Sequence, residues 1–139
     1  MSDPVVTLTF PAKPDYLLLA RLALSGIGRT APVSEEALAD LKLAITEACG
    51  NSVRHAYPDG SGEVCVAYSL GPDSIELIVE DQGTGVEPGS VDATTSSGES
   101  GMGMSIIRAV VDDFEVRPGA DGKGTVVRMA KRFAAPEAQ

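Results

Sequence analysis

The sequence predicts an α/β (α+β) two-layer sandwich, a mainly antiparallel mixed sheet with its helices packed on one face. Three observations carry that prediction. Segments of apolar–polar alternation, the period of a half-buried strand, recur along the chain, as in VVTLTFP at 5–11 and EVCVAYSL at 63–70. Apolar residues at helical spacing fill the stretches between them. The resulting order is strand, helix, helix, hairpin, loop, helix, hairpin. It does not alternate β and α regularly, which argues against a doubly wound parallel sheet.

Taken in order, VVTLTFP is the first strand. An apolar-rich run from Asp15 to about Gly28, with Arg21 inside it, is the first helix. Ser34 is placed to cap a second helix, Glu35 and Glu36 favour its first turn, and Pro58 with Gly60 ends it. Leu38, Leu41, Ile45, Ala48 and Ser52 fall at 3/4 spacing and form its buried stripe. EVCVAYSL and SIELIVEDQG, joined by GPD, read as a hairpin. Residues 86–103, VEPGSVDATTSSGESGMG, are small, polar and without periodicity, the signature of a long binding loop, lid or disordered segment. A helix over about Met104–Val111 follows. DFEVRPG and GTVVRMAKRF form a closing antiparallel pair, and AAPEAQ is a frayed tail at 134–139.

A chain of 139 residues fits one domain that buries roughly two-thirds of its unfolded surface. No segment reaches the roughly 20 apolar residues of a membrane span, and MSDPVVTLTF lacks a basic region before an apolar core. These features predict a cytoplasmic protein with no membrane attachment. The formal charge of −9 argues against direct nucleic-acid binding, which needs a basic face. It suits a basic protein partner, and equally plain solubility. Cys49 and Cys65 read as two reduced core thiols, and His55 is the only histidine, so no site is built from several histidines.

The chemistry concentrates in four short motifs. Gly98, Gly101 and Gly103 stand before an apolar helical run in GESGMGMSIIRAVVDDFEV, where glycine's entropic cost calls for a reason such as phosphate at a helix N-terminus; a loop before an ordinary core helix is the alternative. Two common glycine loops fail here. Met104 replaces the lysine of a P-loop, and Ile106 stands where a dinucleotide fingerprint needs a third glycine. In EACGNSVRHAY, Glu47 and Asn51 lie four residues apart on one helix face, and His55 continues the row. Asn51 offers a hard carbonyl oxygen for Mg²⁺, and Glu47 a general base or an orienter of a nucleophile; a hydrated helix face is the alternative. In EDQGTGV, Asp81 can accept from an exocyclic amine while Gly83 and Gly85 let a flat ring approach; a strand-ending turn is the alternative. Gly124 and Thr125 open the last strand in GKGTVVRM, with a simple turn as the alternative.

These pieces, in this order over residues 47–125, resemble the N, G1, G2 and G3 boxes of the GHKL (Bergerat-type) ATP-binding superfamily. TEACGNSVRHAY, DQGTG and SGMGMSIIRAVVDD are most similar to the small anti-sigma-factor serine/threonine kinases of the RsbW type, over nearly the whole chain. The resemblance implies a Bergerat ATP-binding fold in a single domain, 1–139. It implies ATP and Mg²⁺ as cofactors, with Asn51 holding the metal and Glu47 activating the acceptor hydroxyl. Asp81 would bind the adenine amine, Gly83 and Gly85 would shape its pocket, and Gly124 and Thr125 would support the base.

Gly101, Met102, Gly103 and Met104 would meet the phosphates at the N-terminus of the third helix, beneath a lid over about 86–103. Arg54 and His55 close the cofactor set, although Arg54 fits a solvent-facing charge equally. Arg21 stands where such proteins contact partners, with an ordinary surface charge as the alternative. The implied function is an anti-sigma kinase that phosphorylates a Ser/Thr of an anti-anti-sigma factor, sequesters an alternative sigma factor and forms a homodimer. The competing reading is an ATP-binding regulatory module with little kinase activity.

Overall fold

The computed structural model describes residues 4–56, 62–82, 99–119 and 124–133. Its five strands are β1 (Pro4–Pro11), β2 (Glu63–Leu70), β3 (Ser74–Asp81), β4 (Asp113–Pro118) and β5 (Thr125–Arg132). Its helices are α1 (Leu17–Gly28), preceded by a 3₁₀ turn at Pro14–Tyr16, α2 (Glu35–Asn51), continued by a π turn at Ser52–Ala56, and α3 (Glu99–Val110).

The strands form one sheet in the order β1-β2-β3-β5-β4. All four pairings are antiparallel, so the mixed component expected from the sequence does not appear among the described strands. Alternation explains why one face is covered. Val64, Val66 and Tyr68 of β2 and Ile75, Leu77 and Val79 of β3 point inward and are buried, with the residues between them half-buried. The helices pack on that face. The Tyr68 hydroxyl donates to the Ala20 carbonyl at 2.9 Å and ties α1 to the sheet. On the opposite face Arg128 pairs with Glu76 and reaches Asp113 at 3.6 Å, and the Glu76 hydrogen bond holds the guanidinium above its ordinary pKa.

The second helix starts where the sequence places it. Ser34 is extended, and its Oγ accepts from the Ala37 N–H at 3.1 Å. Leu41, Ile45, Ala48 and Ser52 of the expected stripe are buried and Leu38 is half-buried. Toward its C-terminus the whole helix sinks into the core, and Ala48 to Ser52 are buried in succession. Burial pushes the Cys49 thiol up to about 12, which makes it an inert core group. Both cysteines are free, but Cys65 falls between the inward residues of β2 and is half-buried rather than a core thiol.

Two boundaries differ from the sequence reading. The α-helical register stops at Asn51 and widens into a π turn, so the row expected to run from Glu47 through Asn51 to His55 is interrupted at Ser52. The third helix begins at Glu99, not Met104, so the last five residues of the expected 86–103 loop are helical. Pro58, Gly60, Gly83, Gly85 and the tail from 134 lie outside the described residues.

Candidate functional site

In β3 the inward row Ile75, Leu77, Val79 ends on Asp81, which is 3% exposed. Strand register sets Asp81 opposite Val64 of β2 and Thr125 of β5, so one transverse row of the sheet turns polar at its edge. The C-terminus of α2 drives into the same place, since the Ser52 Oγ donates to the Asp81 Oδ2 at 2.9 Å. The Ser52 N–H is itself shared between the Ala48 and Cys49 carbonyls, which fixes the residue at the start of the π turn.

Among the described residues four polar or charged side chains are buried: Asn51, Ser52, Asp81 and Thr125. All four belong to this one place. Asn51 and Ser52 are chain neighbours, Ser52 bonds Asp81, and Asp81 faces Thr125 across the ladder. Burial of a polar group without full pairing costs about 1–3 kcal/mol, and the buried Tyr68 hydroxyl avoids it through its bond to Ala20. Asn51 bears that cost openly: its Nδ2 is buried and makes no hydrogen bond. Its Oδ1 accepts from the Arg54 Nη2 at 3.0 Å. A buried amide with one end unmatched is suited to a ligand that supplies an acceptor, and its carbonyl oxygen to a hard cation.

Gly124 has a more specific reason than ligand approach. Its φ is +75°, and a Cβ there would stand 1.9 Å from the Asp81 carbonyl oxygen. The start of β5 therefore closes onto the end of β3 only through glycine, and that contact frames Asp81.

The other sequence candidates fall as follows. Glu47 lies one turn before Asn51 on α2 and is half-buried. Arg54 is exposed, yet it folds back over Gly50, where a Cβ would meet its Nη1 at 3.1 Å, to reach Asn51. It is thus an exposed arginine tied to the buried amide. His55 is in the π turn, and its side chain lies outside the described residues. Gly101, Met102 and Gly103 are helical. Gly101 falls in the first turn of α3, whose N–H groups have no intrahelical partner, whereas Gly103 falls past it. Met104 packs against the apolar core. Arg21 is exposed on α1, away from the buried polar cluster.

Ser52 is the member that sequence reasoning did not single out. It was legible only as the last position of an apolar stripe, yet a hydroxyl at a buried position always demands a partner, and that was the available signal.

The arrangement can match an amine donor with a buried carboxylate, and an oxygen-rich ligand with a buried amide a few residues away. Comparison with known proteins shows the family. Residues 10–131 match the family described as the histidine kinase-like ATPase domain. The chain is 32% identical over 143 residues to the serine-protein kinase RsbW of Oceanobacillus iheyensis, covering 95% of this chain and 89% of that one. It is 38% identical over 137 residues to the serine-protein kinase RsbW of Bacillus licheniformis, covering 91% and 84%. In fold it is similar to a crystal structure of the RsbU and RsbW domains of a Mycobacterium tuberculosis protein. There the TM-score is 0.69 at 23% identity, over 96% of this chain and 34% of that one. The chain therefore belongs to the histidine kinase-like ATPase family and, within it, to the RsbW-type serine-protein kinases.

Proposed function

We infer that this chain is an ATP-dependent serine/threonine kinase that acts on an anti-anti-sigma protein and, through the same molecule, sequesters an alternative sigma factor in the cytoplasm. The observation that carries the nucleotide site is the gathering of all four buried polar side chains of the described interior at one point, with the Asn51 Nδ2 left unmatched.

In this reading Asp81 accepts from the adenine amine, and Thr125, beside it in the ladder, supports the base. Asn51 would hold Mg²⁺ through Oδ1, the atom that accepts from Arg54 here, and the Arg54 guanidinium beside it would be available to phosphate. Bound Mg²⁺ supplies charge neutralisation at the transferring phosphoryl group. The first-turn N–H groups of α3, Gly101 among them, add the positive end of a helix dipole. Glu47, one turn from Asn51, takes the proton of the acceptor hydroxyl. His55, Gly83, Gly85, Met102 and Gly103 complete the cofactor set, and the segment over about 86–103 is the lid of this single domain. Arg21 and the exposed leucines of α1 are the surface offered to partner proteins and to a second copy of the chain.

The test is phosphotransfer to the anti-anti-sigma partner, measured beside nucleotide affinity. Glu47→Ala is expected to lower transfer by about 10²–10⁴-fold while ATP binding is unchanged. Loss of ATP binding along with transfer would make Glu47 structural and remove it as the base.

A further inference from the structure

We propose that Ser52 is a positioning residue that sets base specificity, by locking the Asp81 carboxylate in the one orientation that accepts from a 6-amino purine and refuses a 6-oxo purine. The proposal rests on the reading of Asp81 as the adenine acceptor. Its own observation is the 2.9 Å hydrogen bond from the Ser52 Oγ to the Asp81 Oδ2, made between residues 6% and 3% exposed and 29 positions apart in sequence.

A carboxylate turns easily about its last torsion, because that bond has broad and roughly two-fold preferences. A donor fixed on one oxygen removes that freedom. Ser52 is such a donor: its backbone N–H is held by the Ala48 and Cys49 carbonyls, so its hydroxyl reaches Asp81 from an immobile base. The strand side is equally fixed, since Asp81 is paired with Val64 and Thr125, and its carbonyl lies against Gly124.

An ionised carboxylate only accepts hydrogen bonds. Held in one orientation it meets the exocyclic amine of adenine as a matched pair and the carbonyl oxygen of a 6-oxo base as two acceptors. With the Ser52 bond removed, the carboxylate is held less firmly and can shift toward the N1–H that a 6-oxo purine carries, and discrimination falls. A site that hydrogen-bonds its substrate rejects the mismatched analogue by leaving buried polar groups unpaired, and this rejection is strong only when the groups cannot rearrange. Ser52 also follows Asn51 directly, so one short piece of backbone places both the cation-reading amide and the hydroxyl that positions the base-reading Asp81.

The experiment titrates the full chain with ATP and with inosine triphosphate, both with Mg²⁺, for wild type and Ser52→Ala. Circular dichroism confirms the fold of each. Wild type is expected to prefer ATP, and Ser52→Ala to lose that preference by on the order of tenfold, mostly through weaker ATP binding. Should Ser52→Ala fail to fold, Ser52→Cys keeps the volume with a weaker donor and is expected to shift the ratio the same way by less. Equal weakening toward both nucleotides, or an unchanged ratio, would reduce Ser52 to packing and overturn the proposal. Equal binding of both nucleotides by wild type would instead overturn the assignment of Asp81 to the adenine amine, an outcome visible before any variant is made.

Discussion

The first two long helices depart from the inside–outside rule in opposite directions. Helix α1 leaves Leu18, Leu19 and Leu22 at 55%, 44% and 54% exposure, although Ala20, Leu24 and Ile27 already bury its inner face. Helix α2 does the reverse at its C-terminus, carrying Asn51 and then Ser52 into the core beside Asp81. Exposed leucines forgo burial worth roughly 1.5–3 kcal/mol each, and buried polar groups cost a comparable amount when unmatched. Neither departure serves stability. The polar one sets donors and acceptors beside a buried amide whose Nδ2 has no hydrogen-bond partner, the pattern of a ligand site. The apolar one offers a surface. The buried polar cluster and the exposed leucines thus lie on neighbouring helices that pack against the same sheet.

The largest expected effect comes from breaking the frame around the polar cluster. Gly124→Ala sets a methyl group 1.9 Å from the Asp81 carbonyl oxygen at a positive φ, and is expected to destabilise the fold by on the order of 3 kcal/mol in denaturant titration. An unchanged midpoint would mean that the strand ends are not held together through that glycine.

A smaller effect separates the inert part of α2 from the functional part. Cys49 keeps its proton to about 12 in the fold, against 9.0 for the free thiol. Its pKa is raised on folding, so its contribution is complete below about 9 and lost as pH rises toward about 12. Tyr68, raised by burial and by Cys49, acts in the same direction. Stability measured from pH 8 upward should therefore fall beyond about 9, and the fall should be shallower in Cys49→Ala. A pH-independent midpoint over that range would contradict the burial argument.

The smallest effect on stability is expected on α1. Leu18→Ser with Leu22→Ser should shift the unfolding free energy by no more than about 0.5 kcal/mol per site and leave ATP affinity unchanged, while weakening association with partner proteins in a pull-down. A large loss of stability would show that these leucines are packed in the free protein.

Much of this was legible in the sequence, for local reasons. The alternation of EVCVAYSL marks β2 as it stands at Glu63–Leu70, and Ser34 with Glu35 and Glu36 marks the start of α2. Asn51 was identifiable by its spacing from Glu47, Asp81 by its place at a strand end before glycines, and Thr125 by the order of the four motifs. What was hidden is non-local or runs against propensity. The insertion of β5 between β3 and β4 is a pairing that no single segment encodes. The start of α3 at Glu99 carries Gly101 and Gly103, whose poor helix propensity reads as loop. The π turn at Ser52 breaks a row that α-helical spacing extends to His55. Arg54 has two plausible destinations in sequence, and only the folded chain turns it back onto Asn51.

The most direct test of the central claim is calorimetric titration of the chain with ATP, with and without Mg²⁺. Binding that strengthens with Mg²⁺, and loses that dependence in Asn51→Ala, is the result predicted by a buried amide poised for a cation beside a base-reading carboxylate. No binding at millimolar ATP would contradict the account, and would leave the four buried polar side chains as a scaffold without a ligand.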